Sequence, residues 1–294
     1  MTTPPPLRTL AAGTPDGPAR AVVDEARRVL DGLLDHVRRD LAPRAGRADV
    51  SMKADGTPVT PHDRATDEWL TTRLAEAFPD HGTISEEAGH IAPATDWTWV
   101  LDPIDGTSNF IAGVPYWCVS VALCLEGAPV LGVVDAPPLG LRFSAAAGEG
   151  ATVSAEGTVR PMRVSPPVAL HDPAVSHVPG LYSGGAARDL TTDGVTLNAR
   201  LMGAAALDLA FVARGVSPLA VTLGPHVWDV AAGGLLVLEA GGAVVGAGED
   251  PLLPLVPGRD YGRAIERTAA ASDESMARAA HEAVVRGRAE RRRT

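Results

Sequence analysis

Little in this chain points to a covalent staple, a membrane or a nucleic-acid partner. Of 294 residues only two are cysteine, Cys118 and Cys124. They fall in one β-prone run, a separation of about 20 Å at the rise of a strand. A disulfide needs Cα atoms within roughly 7 Å, so the two cannot pair there. They read as buried apolar residues in a reducing compartment, which points to the cytoplasm. No apolar run approaches the roughly 18 residues of a membrane span. Met1 to Pro18 is rich in Pro, Thr and Gly and lacks a basic start before an apolar stretch. It reads as a flexible N-terminus rather than a secretory signal. Basic residues number 26 against 36 acidic, and the net charge of −10 argues against general nucleic-acid affinity.

Lysine is nearly absent. Lys53 stands alone, and the other 25 basic residues are arginine. A lysine kept at one place in so Arg-biased a chain marks its surroundings, with chance as the plain alternative. There is no Gly-x-x-x-x-Gly-Lys-Ser/Thr, no Gly-x-Ser-x-Gly, no paired cysteine ligands for zinc and no internal repeat. His62, His81, His90 and His226 are scattered, and none is a catalytic candidate.

What is present is a hydrophobic fraction of 45%, enough for one large domain or two sharing a site. The chain centres on Trp99-Val100-Leu101-Asp102-Pro103-Ile104-Asp105-Gly106-Thr107-Ser108-Asn109-Phe110. Its first three residues end a buried strand. Pro103 fixes φ between two aspartates, Gly106 permits a sharp turn, and Thr107 and Ser108 start a helix. Two carboxylates on a rigid corner, followed by free N–H groups, suit a hard cation with an anion beside it. The plain alternative is a helix start with acids favoured by its dipole.

Around this centre the spacing predicts a helix over about 19–41 and a second from Asp63 to about Phe78. Thr83-Ile84-Ser85-Glu86-Glu87 reads as a short strand ending in two acids, of which only one need face a site. Runs at 118–125 and 129–134 read as a hairpin, continued by 142–144 and 148–151 as a meander. From about Val164 strand and helix alternate. Strands are predicted at 174–178, 219–223, 243–245 and 268–271, with helices at 203–213, 226–239 and 273–285, the last capped by Asp273. The expected organisation is an α+β half over 19–160 with a mainly antiparallel sheet, and an α/β half over 161–285. A flexible stretch 1–18 and a fraying basic tail 286–294 flank them.

Four strings carry a resemblance. They are the Lys53-x-Asp55-x-x-x-Val59-Thr60-x-x-Asp63 block, Ser85-Glu86-Glu87, Asp102-Pro-Ile-Asp105-Gly-Thr-x-Asn-Phe, and Trp228-Asp229-x-Ala-Ala-Gly. Together they resemble the signatures of the inositol monophosphatase family, the lithium-sensitive, magnesium-dependent phosphomonoesterases, in that family's order. The resemblance implies a layered αβαβα sandwich and two or three Mg²⁺ ions, with Mn²⁺ as a substitute. One ion would take Glu86, Asp102 and the Ile104 carbonyl; a second would take Asp102, Asp105 and Asp229. Asp63 and Thr107 would orient and deprotonate the attacking water, and Glu86 would take part in catalysis as a ligand. Gly106, Thr107 and Ser108 would hold the phosphate, and Lys53 would lie near the site. An all-oxygen carboxylate set selects hard divalent ions, and without them it would repel itself by several kcal/mol.

The substrate side departs from the family pattern. Ala204 stands where a Ser or Thr is usual, and Pro218 and Thr222 stand where an Asp and a Glu grip sugar hydroxyls. Ser85 replaces the usual Gly. The implied reaction is therefore hydrolysis of a small phosphate monoester other than ordinary inositol phosphate. A modified sugar, an amino alcohol or a nucleoside phosphate would suit. Histidinol phosphate, fructose bisphosphate and 3′-phosphoadenosine 5′-phosphate are the alternatives within the class. A catalytically silent metal- or phosphate-binding regulatory protein is the alternative outside it. The family's habit implies a homodimer; no nucleic-acid or membrane partner is expected.

Overall fold

The computed structural model describes residues 7–9, 15–53, 56–166, 179–183, 191–192, 195–196, 198–247, 252–263 and 267–291. Its first half is built on a seven-stranded sheet, in the order β10 (Thr158–Pro161), β9 (Gly150–Ala155), β8 (Leu141–Ala146), β7 (Ala128–Ala136), β6 (Cys118–Leu125), β5 (Trp97–Asp105) and β4 (Gly82–Ser85). All its pairings are antiparallel except β4 with β5. Both faces are covered, so alternate residues serve two cores rather than one core and solvent. On β6, Val119, Val121 and Leu123 face one way, and Cys118, Ala122 and Cys124 the other.

The first face meets α1 (Gly17–Leu41) and α2 (Pro61–Ala77). The apolar stripe of α1 is Val23, Ala26, Leu30, Leu34, Val37 and Leu41, all buried at helical spacing. Each such leucine contributes about 2 kcal/mol of transfer free energy. Helix α2 starts with Pro61 in its first turn and is capped by Thr60, not by Asp63. Asp63 sits three residues further on as the reciprocal acid of a capping box, so the start lies one turn earlier than an Asp cap implies.

The second face meets α4 (Ala205–Ala213) and α5 (Val227–Glu239), both apolar on nearly every side. They need that because a second, six-stranded sheet covers them from beyond. Its order is β1 (Leu7–Thr9), β16 (Ala243–Ala247), β17 (Arg267–Ala271), β15 (Leu219–Leu223), β11 (Pro179–Ser183) and β14 (Asn198–Leu201). Ala220, Val244 and Ala270 point to the α4/α5 layer, whereas Leu219, Val221, Val245 and Ala269 meet α6 (Glu274–Arg291). The result is the expected five-layer αβαβα sandwich.

Two expectations shift. Leu7–Thr9, within the stretch expected to be flexible, pair antiparallel with β16. The last helix, whose Met276 N–H is capped by Asp273 Oδ1 at 2.8 Å, runs on to Arg291 instead of stopping before the basic tail. Arginine is a good helix former, so charge alone does not end a helix. The strand expected at 174–178 lies outside the described residues, as does Asp55.

Candidate active site

Asp102 and Asp105 are three apart, and on a regular strand they would point to opposite faces. Between them the register with β6 slips. Asp102 is opposite Ser120 and Asp105 opposite Cys118, so β5 carries one extra residue. This bulge, made at Pro103 and Ile104, turns both carboxylates to the same side. Asp102 Oδ1 then accepts from Ile104 N at 3.0 Å. Gly106 follows at φ +92°, and a Cβ there would lie 3.1 Å from Ala204 Cβ and 3.2 Å from the Tyr116 carbonyl. The turn demands both the conformation and the bareness of glycine.

The third carboxylate comes from the first turn of α5. Asp229 Oδ2 accepts from His226 N at 2.7 Å, a helix-start role that leaves the other oxygen free. Asp102, Asp105 and Asp229 each offer an oxygen, and these lie within 4.8 Å of one another. Burial, then repulsion from Glu86, Asp105 and Asp229, pushes the Asp102 carboxyl well above the usual range. Asp105 is raised likewise, by burial and then by Asp229. No basic side chain is among the groups that offset either shift. Three carboxylates converging in a buried corner, with no lysine or arginine among the described residues beside them and only the His226 imidazole 3.8 Å from Asp229 Oδ2, fit a hard, oxygen-seeking divalent ion, which supplies the charge they lack.

Asp105 has a second duty. Its two oxygens accept from Ala205 N at 3.0 Å and Ala206 N at 2.8 Å, so it caps α4. Donors at a helix N-terminus favour the anion; Oδ2 also accepts from Cys118 Sγ at 3.5 Å, whereas Oδ1 keeps a lone pair for an ion.

Glu86 lies just past the end of β4, in a turn. Strand alternation, which would turn one of the two glutamates away, therefore does not apply. Lys53 Nζ meets Glu86 Oε1 at 2.7 Å and also contacts Glu87. Burial works against the ammonium, but the two glutamates hold its pKa above the ordinary lysine value. Glu86 in turn lies close enough to Asp102 for its charge to raise the Asp102 carboxyl, joining the two groups of acids.

Opposite them stands a hydroxyl–carboxylate pair. Thr60 donates its N–H (2.8 Å) and its Oγ1 hydroxyl (2.6 Å) to Asp63 Oδ2, which aims Oδ1 at Thr107. Thr107 Oγ1 lies 3.1 Å from Asp63 Oδ1 and 3.0 Å from the Ile104 carbonyl, and its one proton can go to either. Thr107 and Ser108 open a short helix, α3 (Thr107–Ala112), so their N–H groups have no acceptor within it.

On the substrate side, Ala204 is fully buried against Gly106 and Thr222 is 4% exposed. Pro218 precedes β15, at the end away from α5, where its carbonyl accepts from Ser272 N at 3.3 Å. Thr222 lies near the strand's other end, so the two do not meet. Sequence reasoning missed Asp67, which accepts from the Ser85 hydroxyl. Burial, then Glu87 and Glu86, pushes its carboxyl up to about 7. Its spacing of four from Asp63, one helical turn, was the available signal.

With this geometry the comparisons agree. The model of the inositol monophosphatase family matches residues 20–288. The histidinol-phosphatase of Mycobacterium tuberculosis is 36% identical over 235 residues, spanning 78% of this chain and 87% of that one. The Nus factor SuhB of Pseudomonas aeruginosa is 38% identical over 202 residues, 63% of this chain and 71% of that one. Among solved structures, the Thermotoga maritima IMPase superposes with a TM-score of 0.68 at 28% identity, covering 87% of this chain and 96% of that one. The chain belongs to the inositol monophosphatase family, and it is a phosphoric monoester hydrolase.

Proposed function

We propose that the chain hydrolyses a small phosphate monoester with Mg²⁺ held by Asp102, Asp105 and Asp229, and a further ion by Glu86, Asp102 and the Ile104 carbonyl. Mn²⁺ would serve the same oxygen set. When bound, the ions neutralise the carboxylates, acidify water and stabilise charge on the transferring phosphoryl group. The protein's own groups do the rest. The Thr107 hydroxyl gives its proton to Asp63 Oδ1 and accepts one from the attacking water, so the water is oriented and deprotonated by a fixed pair. The N–H groups of Gly106, Thr107 and Ser108 hold the phosphate oxygens. The observation that carries this reading is the 3.1 Å contact of Thr107 Oγ1 with Asp63 Oδ1 beside three converging carboxylates.

The leaving group on this reading is less hydroxylated than inositol, because Ala204 lacks the hydroxyl, and Thr222 the carboxylate, that a sugar ring would engage. The M. tuberculosis relative's name favours histidinol phosphate within that class. A cytoplasmic homodimer is part of the proposal. The location is supported by two buried cysteines that form no disulfide, and the homodimer by the habit of the matched family alone.

The test is phosphate release from inositol, histidinol, sugar and nucleoside phosphates, with Mg²⁺ and with chelator, for wild type, Asp102→Asn and Asp63→Asn. Metal-dependent release lost in both variants supports the proposal. No release from any compound despite Mg²⁺ binding would overturn it in favour of a binding protein.

A further inference from the structure

Glu86 is the least anchored of the acids read as ligands. It follows a four-residue edge strand, its N–H reaches the Leu101 carbonyl only at 3.3 Å, and its side chain is tied to a lysine that lies just past the two-residue strand β2 (Ser51–Met52), which pairs only with the two-residue β3 (Pro58–Val59). A cation site needs its ligand oxygens fixed to within a fraction of an ångström. Something further has to hold this segment.

His90 is placed to do so. Its Nε2 lies 3.0 Å from the Glu86 carbonyl oxygen. A carbonyl only accepts, so Nε2 carries the proton. The same ring packs on Trp228, with centroids 5.2 Å apart. Trp228 is 4% exposed, stacks on His226 at 4.7 Å, and precedes Asp229. Its carbonyl accepts from Ser120 Oγ at 3.1 Å, and Ser120 is the β6 partner of Asp102. A closed circuit results, running from Glu86 through His90, Trp228 and Ser120 to Asp102. The loop 260–262 locks its weakest link. Tyr261 N donates to the His90 carbonyl at 2.8 Å, and a Cβ on Gly262 would lie 2.5 Å from His90 Nδ1.

We infer that His90 is a positioning residue for the cation site, fixing Glu86 by its carbonyl against the Trp228 ring at the start of α5. The inference rests on the reading of Glu86 as a ligand. Outer groups that orient ligands typically matter tenfold or more in metal affinity.

The experiment is Mn²⁺ binding to the full chain, followed by the loss of free-ion electron paramagnetic resonance signal, with thermal unfolding of each variant in parallel. His90→Phe keeps a ring on Trp228 and removes the donor; His90→Gln keeps a donor and removes the ring; His90→Ala removes both. Gly262→Ala pushes on the ring from a position that contacts no acid of the site. We expect about tenfold weaker Mn²⁺ binding in His90→Ala, a similar loss in His90→Phe and Gly262→Ala, and recovery in His90→Gln. The kcat at saturating Mg²⁺ should stay within threefold. Wild-type affinity in both His90→Ala and Gly262→Ala would overturn the inference, as would a fall in melting temperature without a change in affinity. Glu86→Gln separates the two layers. If it too binds Mn²⁺ like wild type, the ligand reading falls and takes this inference with it. If it binds weakly while His90→Ala binds normally, only the inference falls.

Discussion

The site neutralises its acids in two ways, side by side. Glu86 and Glu87 have Lys53 between them, so the protein offsets one of their two charges by itself. Among the described residues Asp102 and Asp105 have no such partner and Asp229 has only the His226 imidazole, 3.8 Å from its Oδ2, so most of that charge is left to be completed from outside. The first group keeps one uncompensated charge, and burial holds the Glu86 carboxyl above its ordinary range in spite of Lys53. The second carries a standing repulsion that only protonation or a cation relieves. Glu86 belongs to both groups, so the Lys53 ammonium and a divalent ion compete for it.

Removing a carboxylate from the second group gives the largest effect. Asp102→Asn should abolish turnover, by at least a thousandfold in kcat/KM. In chelator it should raise the melting temperature, because a buried, repelled acid has become neutral. A fall in melting temperature under chelation would contradict the standing repulsion.

Asp63→Asn comes next. It should lower kcat by a hundredfold to ten-thousandfold while cation affinity, read by calorimetry, changes less than threefold. Equal losses in both would mean that Asp63 belongs with the ligands. Inositol 1-phosphate should be a poor substrate, with kcat/KM at least tenfold below the best compound of the panel. A micromolar KM with rapid turnover would contradict the weakened polar grip at Ala204 and Thr222.

Lys53→Gln sharpens the comparison from the other side. With its internal counter-charge gone, the first group becomes like the second. Mg²⁺ affinity should rise severalfold, and metal-free stability should fall by about 1 kcal/mol.

A smaller effect lies outside the site. His281 is 3% exposed and its Nε2 accepts from Arg267 Nε at 3.0 Å. Burial, then Arg267 and Arg278, pushes its pKa down to about 4. A histidine held neutral binds fewer protons folded than unfolded, so stability is complete above about pH 6.5 and falls as pH drops toward 4. His281→Gln should flatten that part of the pH–stability curve, measured by urea unfolding at pH 4.5 and 7.

The second group was far more legible than the first. Asp-Pro-Ile-Asp-Gly-Thr compresses a strand end, a turn and a helix start into a few residues, and each residue type has one geometric job there. The bulge itself was not legible, because register with β6 is a pairing property. Nor was the shared grip of Lys53 on both glutamates, since strand alternation does not extend into the turn that holds them. The helices α4 and α5 were visible as apolar runs, but the sheet beyond them was less so. Strands β11 and β14 are only five and four residues long, too short for an alternation to stand out from the surrounding chain. The role of His90 was illegible for a different reason. Nothing in the spacing of scattered histidines reveals which one will lie against the carbonyl of a glutamate four residues earlier and a tryptophan from another layer.

The solitary lysine has a practical side. A lysine-specific protease finds one cleavable bond in all 294 residues, immediately after Lys53. Amine-directed dyes find one ε-amino group, and it is clasped by the glutamates that a cation would recruit. Fragment ratio or dye uptake at this position thus becomes a gauge of site occupancy, readable without any substrate.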